Sequence, residues 1–379
     1  MDQFRLSNRE PRHCLFHGRL AKLIIASLVC CWSFESQAIG KTRYENVKTP
    51  EGWAWAQIKR GRPADFNARC GTTPLNPQTS DDAAWASACR LLPATFVVDV
   101  LTHGQFSAKL TFDGIAIIGA RIVGDINLQN ARMSRPFIVQ GSRIEGNFEI
   151  GAARTESVVG LVGSRVAGRF FAKEFDSAAS LLFSDTEFQQ KVSLANARIA
   201  GNVDMSGATV EDEIDADTVQ IGAHLLMSAS DQKKANFKQV TLAGAKVAGN
   251  IRTEGSTFDG ELNADSIQVG AHFLAGATGQ KSTIFRNVSL ASAKITGSVI
   301  LDGASFGGDL NADSIQVGAH LLMRSYEAVR TSLKGVNLVN AKITGALDLS
   351  GSTVEGELNA DSIQVGAHLL MSATKEKRG

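Results

Sequence analysis

From residue 111 onward, apolar and polar positions follow a short, strict rhythm. The unit apolar–x–Gly–x–apolar–x–apolar starts at Ile122 (IVGDINL), Ile144 (IEGNFEI), Val166 (VAGRFFA) and Ile199 (IAGNVDM), and at Ile221 (IGAHLLM) with the glycine one place earlier, always on a step of 11 residues. The intermediate starts, such as Met133, Thr155 and Ser177, keep the two later apolar positions and lose the glycine. Each half-unit alternates with period two, which is the pattern of one very short strand. Strands of this length are stable only when stacked. Coils about 4.8 Å apart pair backbone to backbone and bury a continuous apolar column. Two units, 22 residues, make one coil, and glycine is expected at the corners because it takes positive φ freely.

A longer period lies over the shorter one. NADSIQVGAHLLM occupies 311–323 and 359–371, with near-copies at 263–275 and 215–227, so the phrase returns every 48 residues. That interval is three steps of 11 and one of 15, with a four-residue insertion after each GAHLLM-type unit. Repetition at such a period is the mark of a solenoid.

The reading A-x-I-x-G followed by apolar-x-L-x-x, as in ARIVG-DINLQ and AKITG-ALDLS, resembles the pentapeptide-repeat family over roughly 111–371. The resemblance is degenerate. Sides alternate five and six residues where that family keeps five, and Arg121, Lys294 and Lys342 stand where it has Asp or Asn. It implies an all-β solenoid in the form of a right-handed four-sided β-helix; a flatter two-sheet β-solenoid is the alternative.

Residues 39–110 lack the rhythm and read as a small helical N-terminal cap. Thr49-Pro50-Glu51 opens one helix that Gly61 stops, DDAAWASACRLL a second that Pro93 ends, and PATFVVDVLT a third. Trp53, Trp55 and Trp85 are expected on their apolar faces, over the open strands of the first coil.

The first 38 residues carry Arg5, Arg9, Arg12, Arg19 and Lys22 ahead of an uncharged run of 12 (LIIASLVCCWSF), then SQA. This predicts a signal peptide cleaved after Ala38 and a periplasmic or secreted protein; the run is too short to span a membrane. Its removal leaves 34 basic against 35 acidic residues, so no nucleic-acid partner is indicated. Cys70 and Cys89 then remain, and in an oxidising compartment they are expected to form a disulfide.

Candidate sites come from the repeat. His224, His272, His320 and His368 fall in one column two coils, about 10 Å, apart, too far for any two to share a metal ion. Glu213, Glu261, Asp309 and Glu357 form a second column, and Asp217, Asp265, Asp313 and Asp361 a neighbouring corner; both read as solvated faces. Leu226, Leu274, Leu322 and Leu370 fall at outward offsets. Either each insertion, carrying Phe237, Phe285 or Leu333, folds back over its leucine, or leucines and histidines form an interaction ridge. The uncapped coil before the polar tail at 372–379 is expected to pair with a second copy.

No nucleophile elbow, phosphate loop or His-rich metal motif is present, so neither catalytic residues nor cofactors are assigned. The expected function is an exported, non-catalytic scaffold binding a protein or envelope polymer along its flank. A carbohydrate-active β-helix enzyme and a secreted effector acting on a host target are the alternatives.

Overall fold

The computed structural model describes residues 43–373; the expected export signal and the end of the polar tail lie outside the described residues. The chain is an all-β solenoid of about 12 coils with about 22 residues per turn. All strand pairings in the solenoid are parallel, and Ile199 lies opposite Ile221 on adjacent coils. Each coil contributes short strands to four rows, here called sides I to IV. Side I begins with Ile115–Ile118, side II with Arg121–Val123, side III with Ile126–Asn127 and side IV with Arg132–Met133. Side I is a 13-stranded sheet, side IV an 11-stranded one, and sides II and III share a third sheet.

The inward columns explain why the chain coils this way. On side I, Phe137, Val159, Leu181, Val203 and Leu225 succeed one another in register, fully or almost fully buried. On side II, Phe237, Phe258, Phe285 and Phe306 stack with ring centroids 5.3, 5.0 and 5.1 Å apart. The inward columns of the coils are apolar and give a phenolic hydroxyl no partner, in keeping with 19 phenylalanines against 2 tyrosines; Tyr44, in the core at the cap, donates to Asp99 at 2.6 Å.

The insertions are small excursions at the corner between sides I and II. Two contain antiparallel bridges, Thr278 to Lys281 and Tyr326 to Val329. Buried hydroxyls tie their bases: Thr283 Oγ1 donates to Gly276 O at 2.6 Å and accepts from Gly255 N at 2.8 Å. Phe237, Phe285 and Leu333 belong to the core cluster and the outward leucines do not. The insertion therefore does not fold its apolar residue over the leucine; the core of side II takes it, because burial there is complete.

The glycine expectation holds at the corner between sides I and II and is corrected for the glycine inside the repeat unit. The repeat's own glycines are mostly kept for close approach, since a Cβ on Gly222, Gly270 or Gly318 would lie 2.4, 2.2 or 2.1 Å from the carbonyl oxygen of Ala200, Ala248 or Thr296 on the preceding coil. Positive φ is needed at two corners: between sides I and II glycine supplies it, as at Gly119, Gly163, Gly207, Gly255 and Gly303, and between sides III and IV Asn196, Thr218, Ser266 and Ser314 adopt it. Small polar side chains tolerate that region by bonding locally.

At the N-terminal end, α1 (Pro50–Ile58) is capped by Thr49, whose hydroxyl accepts from Gly52 N at 3.1 Å. Ala64–Asp65 pairs with Ile117–Ile118 on side I, and Leu91–Pro93 pairs with Arg121–Val123 on side II. Between them lie α2 (Phe66–Cys70) and α3 (Asp82–Trp85); α4 (Ala94–Thr102) and α5 (Gly104–Ser107) follow. The long second helix is thus cut to four residues. A 3-10 turn, Ala88–Arg90, and the strand replace the rest, because Leu92 is worth more buried as an added strand on the first coil. Cys70 and Cys89 form the expected disulfide, with Cα atoms 5.8 Å apart. Trp55 is buried in the core cluster with Trp53 half-buried against it, whereas Trp85 is buried outside that cluster, against the guanidinium groups of Arg90 and Arg143.

The loop after α2 reaches beyond the first coil. Arg143 Nε donates to Pro77 O at 2.9 Å, Gln78 Nε2 donates to Asp185 O at 2.6 Å, and Lys233 Nζ donates to Gln78 Oε1 at 3.1 Å. The first insertion and the N-terminal region are therefore in direct contact. Burial pushes the Lys233 ammonium below its ordinary range, with Asp185 and Glu187 opposing.

Candidate functional site

The histidines turn out to be corner pieces. His224 Nδ1 accepts the backbone N–H of Asn250 at 2.9 Å, while the backbone N–H of His224 donates to Asn202 Oδ1 at 2.9 Å. His272 and His320 repeat the arrangement with Ser298 N and Ala346 N, both at 3.0 Å. Each ring occupies the space that a Cβ on Gly249, Gly297 or Gly345 would need, 2.6 to 2.7 Å from Nδ1. The Gly-Ala-His of one coil and the glycine of the next are thus one device. With Nδ1 accepting, a neutral ring carries its proton on Nε2, at an exposed edge. His368 ends the column and is exposed.

Leu226, Leu274 and Leu322 stand half-buried on the outer face of side I, and Leu370 is exposed. In register the outward column reads Asp204, Leu226, Arg252, Leu274, Ile300, Leu322, Asp348, Leu370. Charges isolate Leu226, so the apolar ridge is continuous only over Leu274, Ile300 and Leu322. At the far end of the described chain Leu369, Leu370 and Met371 are 56%, 44% and 61% exposed.

The acidic residues are partly neutralised. Lys191 Nζ lies 3.0 Å from Glu213 and 3.3 Å from Asp215. Burial, then the charge of Asp215, holds the Asp217 carboxyl above the usual range, and Asp217 Oδ1 is buried with no hydrogen-bond partner. Near the cap, a cavity of about 310 Å³ is lined by Trp85 and three arginines. Each arginine is committed: Arg121 to Glu145, Arg143 to Asp82 at 2.6 Å, and Arg165 to Glu187 at 3.2 Å. Among the described residues no group of three or more His, Cys, Asp or Glu is placed to hold a metal ion. No described helix is long and apolar enough to cross a membrane.

Side IV carries the feature that sequence reasoning missed. Its outward column runs Arg198, Gln220, Lys246, Gln268, Lys294, Gln316, Lys342, Gln364, one residue per coil. Every member is exposed, and the four cations have no ion-pair partner among the described residues. Beside the column lies a shelf floored by Ala200, Gly222, Ala248, Gly270 and Thr296, a groove of about 680 Å³. It continues past Thr296, Gly318 and Thr344 as a further segment of about 380 Å³. The signal was present in the 48-residue period, which places Lys246, Lys294 and Lys342 in equivalent positions. Finding it required reading one outward offset on every coil.

These features define a class: a parallel β-solenoid repeat protein with a disulfide-tied N-terminal cap and long, regular outer faces. Compared with protein-family models, curated proteins and solved structures, the chain shows no match.

Proposed function

We propose that this protein is an exported, non-catalytic scaffold that binds a protein or envelope polymer along its flank. The observation that carries the reading is side IV, where exposed cations and amides alternate in register from Arg198 to Gln364 beside an unobstructed shelf. A surface that repeats its chemistry once per two coils suits a ligand that repeats too, since many weak contacts along one axis add through effective concentration. The disulfide supports export to an oxidising compartment. Four short sides per coil support placement beside the pentapeptide-repeat proteins as a degenerate relative.

The test is co-sedimentation of the purified chain with insoluble cell-envelope material, alongside a reducing-end assay on a panel of glycans. Retention without turnover is expected. Turnover, or no retention, overturns the proposal.

A further inference from the structure

We propose that the shelf on side IV binds a linear anionic polysaccharide bearing one acidic group on every second sugar. The inference rests on the scaffold reading and narrows it to one face and one ligand class.

The spacing of charge comes first. Cations occupy every second coil, so they stand about 10 Å apart along the axis with a glutamine between each pair. The ligand this surface fits is a glycan whose advance per sugar is close to the coil spacing of about 4.8 Å. A carboxylate or sulfate on alternate sugars then meets each ammonium, while the intervening uncharged sugar offers hydroxyls to the glutamine amide, which both donates and accepts.

The shape of the floor agrees. Gly222, Gly270 and Gly318 have no room for a side chain, because the carbonyls of the preceding coil lie where a Cβ would be. With alanines and threonines between them, they leave a flat strip that an extended chain follows without climbing over side chains.

The histidine column stands two residues beyond the strip, and its rings, held through Nδ1, turn an Nε2–H donor outward. One carboxylate, Asp176, lines the groove at its N-terminal end, opposite Arg198 on the next coil. Asp176 lies 3.8 Å from Arg154, and Asp265 Oδ1 accepts from Ser289 Oγ and from Ala291 N at 3.0 Å.

Nucleic acid fits less well. Phosphates recur about every 3.4 Å along a duplex strand, far denser than these cations. Single strands are held largely by aromatic stacking, and the groove-lining residues include no aromatic.

The test titrates the full chain with four probes in one low-salt buffer: a hyaluronan oligosaccharide (acidic on alternate sugars), polygalacturonate, neutral dextran and a thymidine oligonucleotide. Hyaluronan is expected to bind roughly tenfold or more tighter than dextran or the oligonucleotide. The triple substitution Lys246→Gln, Lys294→Gln, Lys342→Gln is expected to lose roughly tenfold or more of that affinity, with circular dichroism and melting unchanged. Leu322→Asp, on side I, is expected to bind as the parent does. Equal binding of dextran or oligonucleotide, or full affinity in the triple variant, overturns the inference. If the triple variant still sediments with envelope material, this inference fails and the scaffold reading stands. If the parent chain binds neither hyaluronan nor envelope material, both fail.

Discussion

His320 Nδ1 accepts the backbone N–H of Ala346 from the next coil at 3.0 Å, in the space that Gly345 leaves by having no Cβ. The repeated histidine is therefore part of the corner that joins successive coils. His320→Ala removes one hydrogen bond at an exposed site and is expected to cost about 1 kcal/mol in equilibrium urea unfolding. Gly345→Ala is expected to cost more, about 1–3 kcal/mol, because its Cβ would lie 2.6 Å from Ala319 O and 2.7 Å from the ring nitrogen.

Ala152 sits at φ 52° on the corner between sides III and IV, where the coils on either side use Asn130 and Glu174. It has no side-chain polar atom to offset the crowding of its Cβ. Ala152→Gly is expected to raise stability by about 1 kcal/mol, seen as a higher denaturation midpoint.

The two faces of the solenoid respond differently to truncation and charge. Phe258 packs between Phe237 and Phe285, so Phe258→Ala is expected to cost about 3–5 kcal/mol. Leu322 is half-buried on the outer face of side I, next to Asp348 on the adjacent coil. Leu322→Asp is expected to fold, losing about 1–2 kcal/mol through reduced apolar burial and the like charge of Asp348 opposite. Thermal melts of the two variants side by side check the ranking.

Asp217 gives a pH signature. Its folded-state carboxyl is held above the usual range, first by burial and then by Asp215. The folded chain then keeps this proton to higher pH than the unfolded chain does. Stability falls as pH rises through the carboxylate range and stays lower at neutral pH. Asp217→Asn is expected to stabilise the protein at pH 7, with the gain vanishing in acid below that range. Denaturant midpoints measured against pH test this, and a gain that persists in acid rejects the assignment.

The Cys70–Cys89 bridge closes a loop of 19 residues inside the cap. Replacing both cysteines with serine is expected to remove about 3 kcal/mol from the cap. In a solenoid each coil contacts mainly its neighbours, so the loss is expected to stay local. Limited proteolysis is expected to cut first between residues 64 and 93, with the later coils protected.

Much of this architecture was legible from spacing. The 11-residue step fixes which residues pair, as the opposition of Ile199 and Ile221 shows, because one slipped residue turns every inward side chain outward. The same arithmetic located the insertions and the histidine column, while the cysteine pair followed from the expected compartment. It could not decide where Phe237 goes, since core and outer cover both bury a ring; only the packing of Phe258 and Phe285 beside it settles that. Nor could it distinguish a glycine needed for positive φ from one needed for close approach, because that depends on where the preceding coil puts its carbonyl. The shortened second helix belongs to the same class: local propensity favoured a helix through Leu92, and the unpaired edge of the first coil claimed it as a strand. Periodicity along the chain set the register, while contacts between coils decided what each repeated residue is for.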